Sequence, residues 1–388
     1  MHLLGVNTPA DLYSRAAELF YRPFDFQHPL WRFFIISSSP TLSDTRKEAS
    51  PVHPAILLTV HHGYVDGLGG LEIMNTVCSR VAVRHGKGSH LHSVPASALT
   101  SDPESPQRPS VSQDPNAGSE SVKSPLREIS EYKRSKLLPL LRLLQESREP
   151  QVESAVNGTN SERRNFNLVD LPLDRLNRLK RPVDGTVNDI LLSLITESLR
   201  RYSRELGSPL PESARMVLPV SLRNRKDRHI LGNHVSAVGL RLPLSTSDQL
   251  DQIRKIRRET LRIKSTEIAK TYALFAKLTT LLPVSIQRWL CEYQAKRTAF
   301  ICTNMNVSAR PQEICGSRIL GNYPLPALMR CHGIAYGFVR YTDKICAAVV
   351  SDPAIVARPG RLIELLLESL AGLEVRVFGS EKLRATEN

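Results

Sequence analysis

Two histidines, an aspartate and a glycine crowd into the stretch Ala55-Ile-Leu-Leu-Thr-Val-His-His-Gly-Tyr-Val-Asp-Gly-Leu-Gly-Gly70. An imidazole titrates near neutrality, so it can take a proton from a reacting group and return it at cellular pH. His61 and His62 are the candidates for that work. Asp66 could steer an imidazole or hold the turn around it. Gly67 could permit a backbone conformation or a close approach that a side chain would block. The elements that must position these groups are legible on either side. Ala55 to Val60 is a short aliphatic run and predicts a buried strand. Leu68 to Val83 predicts a helix. The reactive groups would then sit on a strand-to-helix turn, held rigidly with one ring nitrogen accessible.

Other chemistries fit less well. Adjacent histidines on an extended strand point in different directions. No His-Glu-x-x-His helix or cysteine pair completes a zinc site, so no metal is expected at His61, His62 and Asp66. Ser221 lacks the Gly-x-Ser-x-Gly turn of a serine hydrolase. Neither a Gly-x-x-x-x-Gly-Lys nor a Gly-x-Gly-x-x-Gly loop is present, which disfavours nucleotide enzymes of those types.

The chain has 388 residues, more than one hydrophobic core usually covers, and two domains are expected. Its formal net charge is +14. Such a surface attracts anions such as acidic lipid headgroups or nucleotide phosphates. Nucleic acid is not expected as a partner, because zinc-finger spacing and aromatic-basic signatures are missing. The six cysteines are scattered, as expected of thiols in a reducing compartment. No clean apolar run of about 18 residues predicts a membrane span. The nearest, Tyr272 to Leu290, is interrupted by Lys277, Pro283, Gln287 and Arg288.

Along the chain, Pro9 to Phe20 predicts a helix and Trp31 to Ser37 a strand. Residues 1–84 form a first unit around the His-His turn. Residues 85–124 are rich in Ser and Pro and read as a disordered insertion. Residues 125–164 hold a basic amphipathic helix, Pro125 to Glu146, and a polar linker. That helix could pack with a solvated basic face or lie on a membrane. Residues 165–388 form the second unit. Leu173 to Lys180 predicts a short helix. Thr186-Val-Asn-Asp189 caps a long one that Gly207 stops. Strands follow at Arg215 to Val220 and His234 to Leu244, then a basic helix at Leu250 to Ala269. Phe300 to Val307, Gly333 to Tyr341 and Lys344 to Ser351 complete the strands, and Leu362 to Leu373 closes as a helix.

His-His-x-x-x-Asp-Gly on such a turn resembles the active-site motif of acyltransferases built like chloramphenicol acetyltransferase and peptide-synthetase condensation domains. His28-Pro-Leu-Trp31, Val187-Asn-Asp-Ile190, Leu218-Pro-Val-Ser-Leu-Arg223, Leu231-Gly-Asn-His-Val-Ser-Ala237 and Gly321-Asn-Tyr-Pro-Leu-Pro326 narrow the match. Together they resemble the wax ester synthase/diacylglycerol acyltransferase family, from about Asp11 to Val375. The resemblance implies an α/β, two-domain CoA-dependent acyltransferase fold of the chloramphenicol acetyltransferase type, with mixed sheets flanked by helices. A tunnel would run between the two halves, with His62 at its middle.

The implied activity is transfer of a fatty acyl group from acyl-CoA, as co-substrate, to a lipid hydroxyl. The product would be a wax ester or triacylglycerol, with no cofactor and no acyl-enzyme. His62 would be the general base, with His61 a packing or hydrogen-bonding neighbour. Asp66 either serves catalysis directly or turns away to pair with Arg223. Asn188 and Asp189 either cap a helix or shape the substrate site. The implied location is cytoplasmic, peripheral to the endoplasmic reticulum, another membrane or a lipid droplet. Family members carry a longer segment before the first helix, so an N-terminally shortened form with an opened acceptor side is expected. The family's Asn-Val-Pro-Gly-Pro reads Asn306-Val-Ser-Ala-Arg-Pro311 here, which would alter a turn and substrate selection. The alternative from another class is a non-catalytic lipid-binding or scaffolding relative on the same fold.

Overall fold

The computed structural model describes residues 4–6, 8–38, 53–80, 145–146, 148, 150–223, 231–265, 268–308 and 310–379. The Ser/Pro-rich stretch 85–124 and nearly all of the basic helix expected from Pro125 lie outside the described residues.

The first half builds a small sheet. β2 (Trp31–Ser38) runs antiparallel to β3 (Ala55–Val60), and β1 (Leu4–Val6) lies parallel to β2 on its other side. β-Branched and aromatic side chains suit this half-buried pleat. α1 (Pro9–Phe20) begins with Pro at its first turn and a reciprocal capping box between Thr8 and Asp11. α2 (Gly67–Val77) follows the His-His turn. It is shorter than the expected Leu68 to Val83. Cys78 turns extended, and Ser79–Arg80 become β4, captured by backbone pairing with Gln312 and Glu313.

The second half is organised by a six-stranded mixed sheet ordered β5-β12-β11-β8-β6-β7. Its strands are β5 (Asn165–Pro172), β6 (Ala214–Ser221), β7 (Val235–Leu242), β8 (Ile301–Ser308), β11 (Ile334–Tyr341) and β12 (Lys344–Ser351). β9 (Gln312–Ile314) and β10 (Ser317–Arg318) join β4 in a separate three-stranded patch. The hairpin between β11 and β12 turns at Thr342, whose φ of 53° is left-handed.

Helices cover this sheet. α3 (Leu173–Lys180) and α4 (Val187–Glu205) are followed by α5 (Gln249–Ser265), α6 (Ile268–Thr279), α7 (Val284–Ala295) and α8 (Pro359–Phe378). The single basic helix expected at Leu250 to Ala269 is thus two helices, α5 and the start of α6. α4 is buried nearly all round and is the spine of the main core, packed with α8, α5 and the inward side chains Phe300, Cys302, Tyr336 and Phe338. α1 packs across both halves. Its Ala17 sits with Phe166, Ala335 and Val350 of the large sheet, and its Leu19 with Ile36 and Leu57 of the small one. Phe20 meets Phe166 edge-on at 5.5 Å. The His-His turn therefore lies where two sheets are held together by one amphipathic helix.

Candidate active site

The turn is built from its backbone outward. β3 ends at Val60, opposite Trp31, and the His61 amide donates to the Leu30 carbonyl at 2.9 Å. Leu30 is buried, so the Pro-Leu-Trp entry to β2 clamps the end of β3. His61 Nδ1 accepts from the Gly63 amide at 3.1 Å, and its ring meets Phe24 and Phe26 edge-on at 5.9 and 5.5 Å. His61 thus packs and ties the turn.

His62 is exposed, on the open side of the turn. The Asn233 side-chain NH₂ donates to the His62 carbonyl oxygen at 3.1 Å and lies 3.2 Å from His62 Nδ1. Nε2 has no hydrogen-bond partner among the described residues.

Asp66 does something different. It is 5% exposed and is the N-cap of α2. Its Oδ1 accepts from the Gly69 amide at 2.9 Å, and its Oδ2 from the His234 amide at 2.8 Å and from Arg223 Nη1. Arg223 Nη2 also donates to the Gly232 carbonyl at 2.8 Å, and the Asp66 amide to the same oxygen at 3.2 Å. No hydrogen bond joins Asp66 to His62. Burial pushes the Asp66 carboxyl up, but the Arg223 guanidinium and the Gly69 and His234 amides outweigh it and hold the group below its usual range. Charge-assisted bonds of this kind are strong and directional.

Gly67 has an ordinary helical backbone. A Cβ there would stand 2.8 Å from Met305 Sδ of β8, so close approach between the halves is what its lack of a side chain serves. Gly232, by contrast, has φ +121°, in the region that favours glycine. It lets the segment before β7 bring Asn233 and His234 back to the turn.

His61, His62, Asp66, Gly67 and Arg223 are therefore one constellation, and Asn188 and Asp189 stand apart from it. Asn188 Oδ1 accepts from Asn304 Nδ2 at 3.2 Å. Asp189 Oδ2 accepts from the Thr186 amide and hydroxyl at 2.9 and 2.8 Å, and its Oδ1 from the Thr260 hydroxyl at 2.8 Å. The link between the two groups runs through β8, where Asn304 and Met305 are consecutive. Two members of the site were not named as site residues from the sequence: Met305, and Asn233, which lies inside the Leu231-Gly-Asn-His-Val-Ser-Ala237 stretch. Asn233 could have been found only as the residue after a glycine in Leu231-Gly-Asn-His-Val. Among the described residues no cluster of His, Cys, Asp or Glu is placed to hold a metal ion.

Two mixed sheets joined by α1, with helices over the larger one, have the α/β fold of acyltransferases built like chloramphenicol acetyltransferase. The wax ester synthase/diacylglycerol acyltransferase catalytic domain matches residues 4–191, and the WS/DGAT C-terminal domain matches 231–374. The chain belongs to the wax ester synthase/diacylglycerol acyltransferase family. A relative described as "Probable diacyglycerol O-acyltransferase tgs1" from Mycobacterium tuberculosis is 24% identical over 370 residues, covering 93% of this chain and 75% of its own. Among solved structures, the wax ester synthase/diacylglycerol acyltransferase from Marinobacter aquaeolei superposes with a TM-score of 0.61 at 17% identity, covering 97% of this chain and 79% of that one. The epimerization domain from the third module of tyrocidine synthetase B shares the fold at a TM-score of 0.54 and 13% identity, over 97% of this chain and 80% of that one.

Proposed function

We propose that the protein moves a fatty acyl group from acyl-CoA to the hydroxyl of a membrane-borne lipid, a long-chain alcohol or a diacylglycerol, with His62 as general base. The observation that carries this is the division of labour on the turn. Asp66 is buried and spends its oxygens on Gly69, His234 and Arg223, whereas the ring of His62 is exposed with Nε2 open. Asp66 and Arg223 are positioning residues that fix the turn, and His61 packs it.

The lipid hydroxyl attacks the thioester carbonyl as His62 Nε2 takes its proton. Its oxygen forms a bond to the acyl carbon and gives a tetrahedral intermediate. Collapse breaks the carbon–sulfur bond, and the imidazolium returns the proton to the thiolate, releasing CoA. For this cycle the resting proton must lie on Nδ1. The Asn233 carboxamide, 3.2 Å from that atom, is the group beside it.

Both candidate acceptors partition into membranes or lipid droplets. No helix among the described residues is long and apolar enough to cross a membrane. Peripheral, reversible docking follows, helped by basic stretches such as Arg254 to Lys264 on α5, each cation contributing about 1 kcal/mol near an anionic surface.

The test is thin-layer analysis of neutral lipids from a host lacking such enzymes and expressing the chain. Wild type should add wax ester or triacylglycerol. His62→Ala should cut synthesis about 100- to 10,000-fold with an unchanged melting temperature. A folded His62→Ala protein with near-normal turnover would overturn the mechanism. Equal lipid binding by both proteins with no turnover in either would favour a binding role instead.

A further inference from the structure

We infer that the tip of the α6–α7 hairpin is an apolar element that enters one leaflet of a lipid surface. Among the described residues, this hairpin is buried at its base. α6 buries Ile268, Thr271 and Tyr272, all in its first half, and α7 buries only Ala295, its last residue. Beside that base, the Val152 amide donates to the Lys296 carbonyl at 2.9 Å, and the Arg297 guanidinium lies 3.5 Å from the Tyr293 ring. At the other end every residue from Thr280 to Ile286 is exposed. Leu281 is 59% exposed, Val284 69% and Trp289 58%, with Leu282 and Ile286 beside them. Exposed large apolar side chains are ordinary when scattered, and contiguous groups of them mark interaction sites.

The chemistry of the surroundings selects a lipid surface. The apolar residues crown a projecting turn. A projecting tip can enter a fluid phase without a shaped partner, whereas a groove needs a matching ligand. Ile286, Trp289 and Tyr293 follow one face of α7, and the two aromatic rings lie 5.2 Å apart. An exposed amphipathic ring such as that of Trp289 favours the boundary between headgroups and acyl chains. From Ile268 to Cys291 the chain carries Lys270, Lys277 and Arg288 and no Asp or Glu. Lys270 and Lys277 lie on α6, and Arg288 is exposed on the flank of α7. The long stem of Arg288 can lie along apolar surface while its charge meets anionic headgroups. The hairpin thus combines an apolar tip, an exposed tryptophan and cations without acidic residues from Ile268 to Cys291, which is the composition of an interfacial element.

This rests on the lipid-acceptor reading for its purpose, but its test needs no catalysis. Trp31 and Trp289 are the only tryptophans. In the full chain carrying Trp31→Phe, Trp289 is therefore the sole tryptophan reporter. With phosphatidylcholine–phosphatidylglycerol vesicles bearing brominated acyl chains, Trp289 emission should shift to the blue and be quenched. Leu281→Glu with Val284→Glu should weaken vesicle binding about tenfold or more and abolish what remains at high salt, with an unchanged melting temperature. Three results would overturn the inference: absence of vesicle binding, binding with Trp289 unquenched, or unaltered affinity in the double variant. So would a chain that sediments as a dimer which the double variant splits, since a second copy would then cover the tip. Intact quenching in a protein that makes no ester would sink the acyltransferase reading and leave the insertion standing.

Discussion

Asp66 and Asp189 are both buried carboxylates at the start of a helix, yet the partners they gather are different in kind. Asp66 caps α2 and reaches Arg223 and His234, 157 and 168 positions away. Asp189 sits in the first turn of α4 and completes a capping box with Thr186, three positions away, and a bond to Thr260 of α5. One ties the His-His turn to a distant segment of the chain with a full charge pair. The other satisfies a helix end with hydroxyls and an amide. The difference shows how one residue type at one kind of place can be site scaffold in one case and local structure in the other. What decides is whether the partner is an arginine on another segment. Removing a partner from a buried charge pair leaves the other charge uncompensated, whereas hydroxyl partners lose only a hydrogen bond.

The largest expected effect follows from that asymmetry. Asp66→Asn and Arg223→Gln should each lower stability by about 3–5 kcal/mol, and the double variant by much less than their sum. Thermal melting of the three proteins decides it, and strictly additive losses would mean that the pair is not coupled. The acid side supplies a second reading. The folded pKa of Asp66 is depressed, so its contribution is fully present above the unfolded value of about 3.9 and is lost as pH falls through the folded one. His332 acts over a different window. Burial pushes it down from 6.5 to about 4, against the opposing hydrogen bonds of its ring with Ala295 and Thr298. The unfolded chain takes that proton first, so stability already falls between those values. Asp66→Asn should therefore flatten only the part of the acid melt below about pH 4.

Much of this was readable from residues alone, and the limits have physical causes. The capping box at Thr186 and the stop at Gly207 mark α4, because caps are local signals. β3 and β12 were legible from end to end because each is an aliphatic run bounded by turn residues. β4, β9 and β10 were not, since two- or three-residue strands exist only through pairing between distant segments. The end of α2 at Val77 has the same origin, because Ser79 and Arg80 are recruited by β9. At the site, His62, Asp66 and Gly67 announced themselves by spacing. Arg223 could be put forward only through a resemblance, and Asn233 had no visible reason to touch His62. Its approach depends on a left-handed Gly232, which sequence shows only as a glycine. The reason for Gly67, contact with Met305, lies more than two hundred residues away.

The Asn233 contact offers a sharper version of the comparison. Asn233→Asp would place a carboxylate beside His62, where Asp66 does not reach. An adjacent negative charge favours the imidazolium, by about 1–3 pK units when close. The acidic limb of kcat/KM should move to higher pH, while Asn233→Ala should lower kcat without moving the limb in that direction. Identical pH profiles in wild type and Asn233→Asp would mean that Asn233 does not govern the ring of His62.

The smallest effect should come from Asp189. Asp189→Asn keeps one carbonyl oxygen for the Thr186 amide and hydroxyl. Its new NH₂ can donate to the Thr260 oxygen, because that hydroxyl already has the Arg257 carbonyl 3.0 Å away as another acceptor. The loss should be that of a weakened cap, about 0.5–2 kcal/mol, well below that of Asp66→Asn. Ester synthesis should follow the remaining folded fraction and no more. Asn188→Ala removes the bond to Asn304 on β8, one residue from the Met305 that touches Gly67. If either change raises the KM for the acyl acceptor severalfold while melting is unmoved, the α4 start shapes the substrate site. The contrast between Asp66 as scaffold and Asp189 as local cap would then have to be redrawn, with α4 reaching the acceptor through β8 and not merely standing behind it.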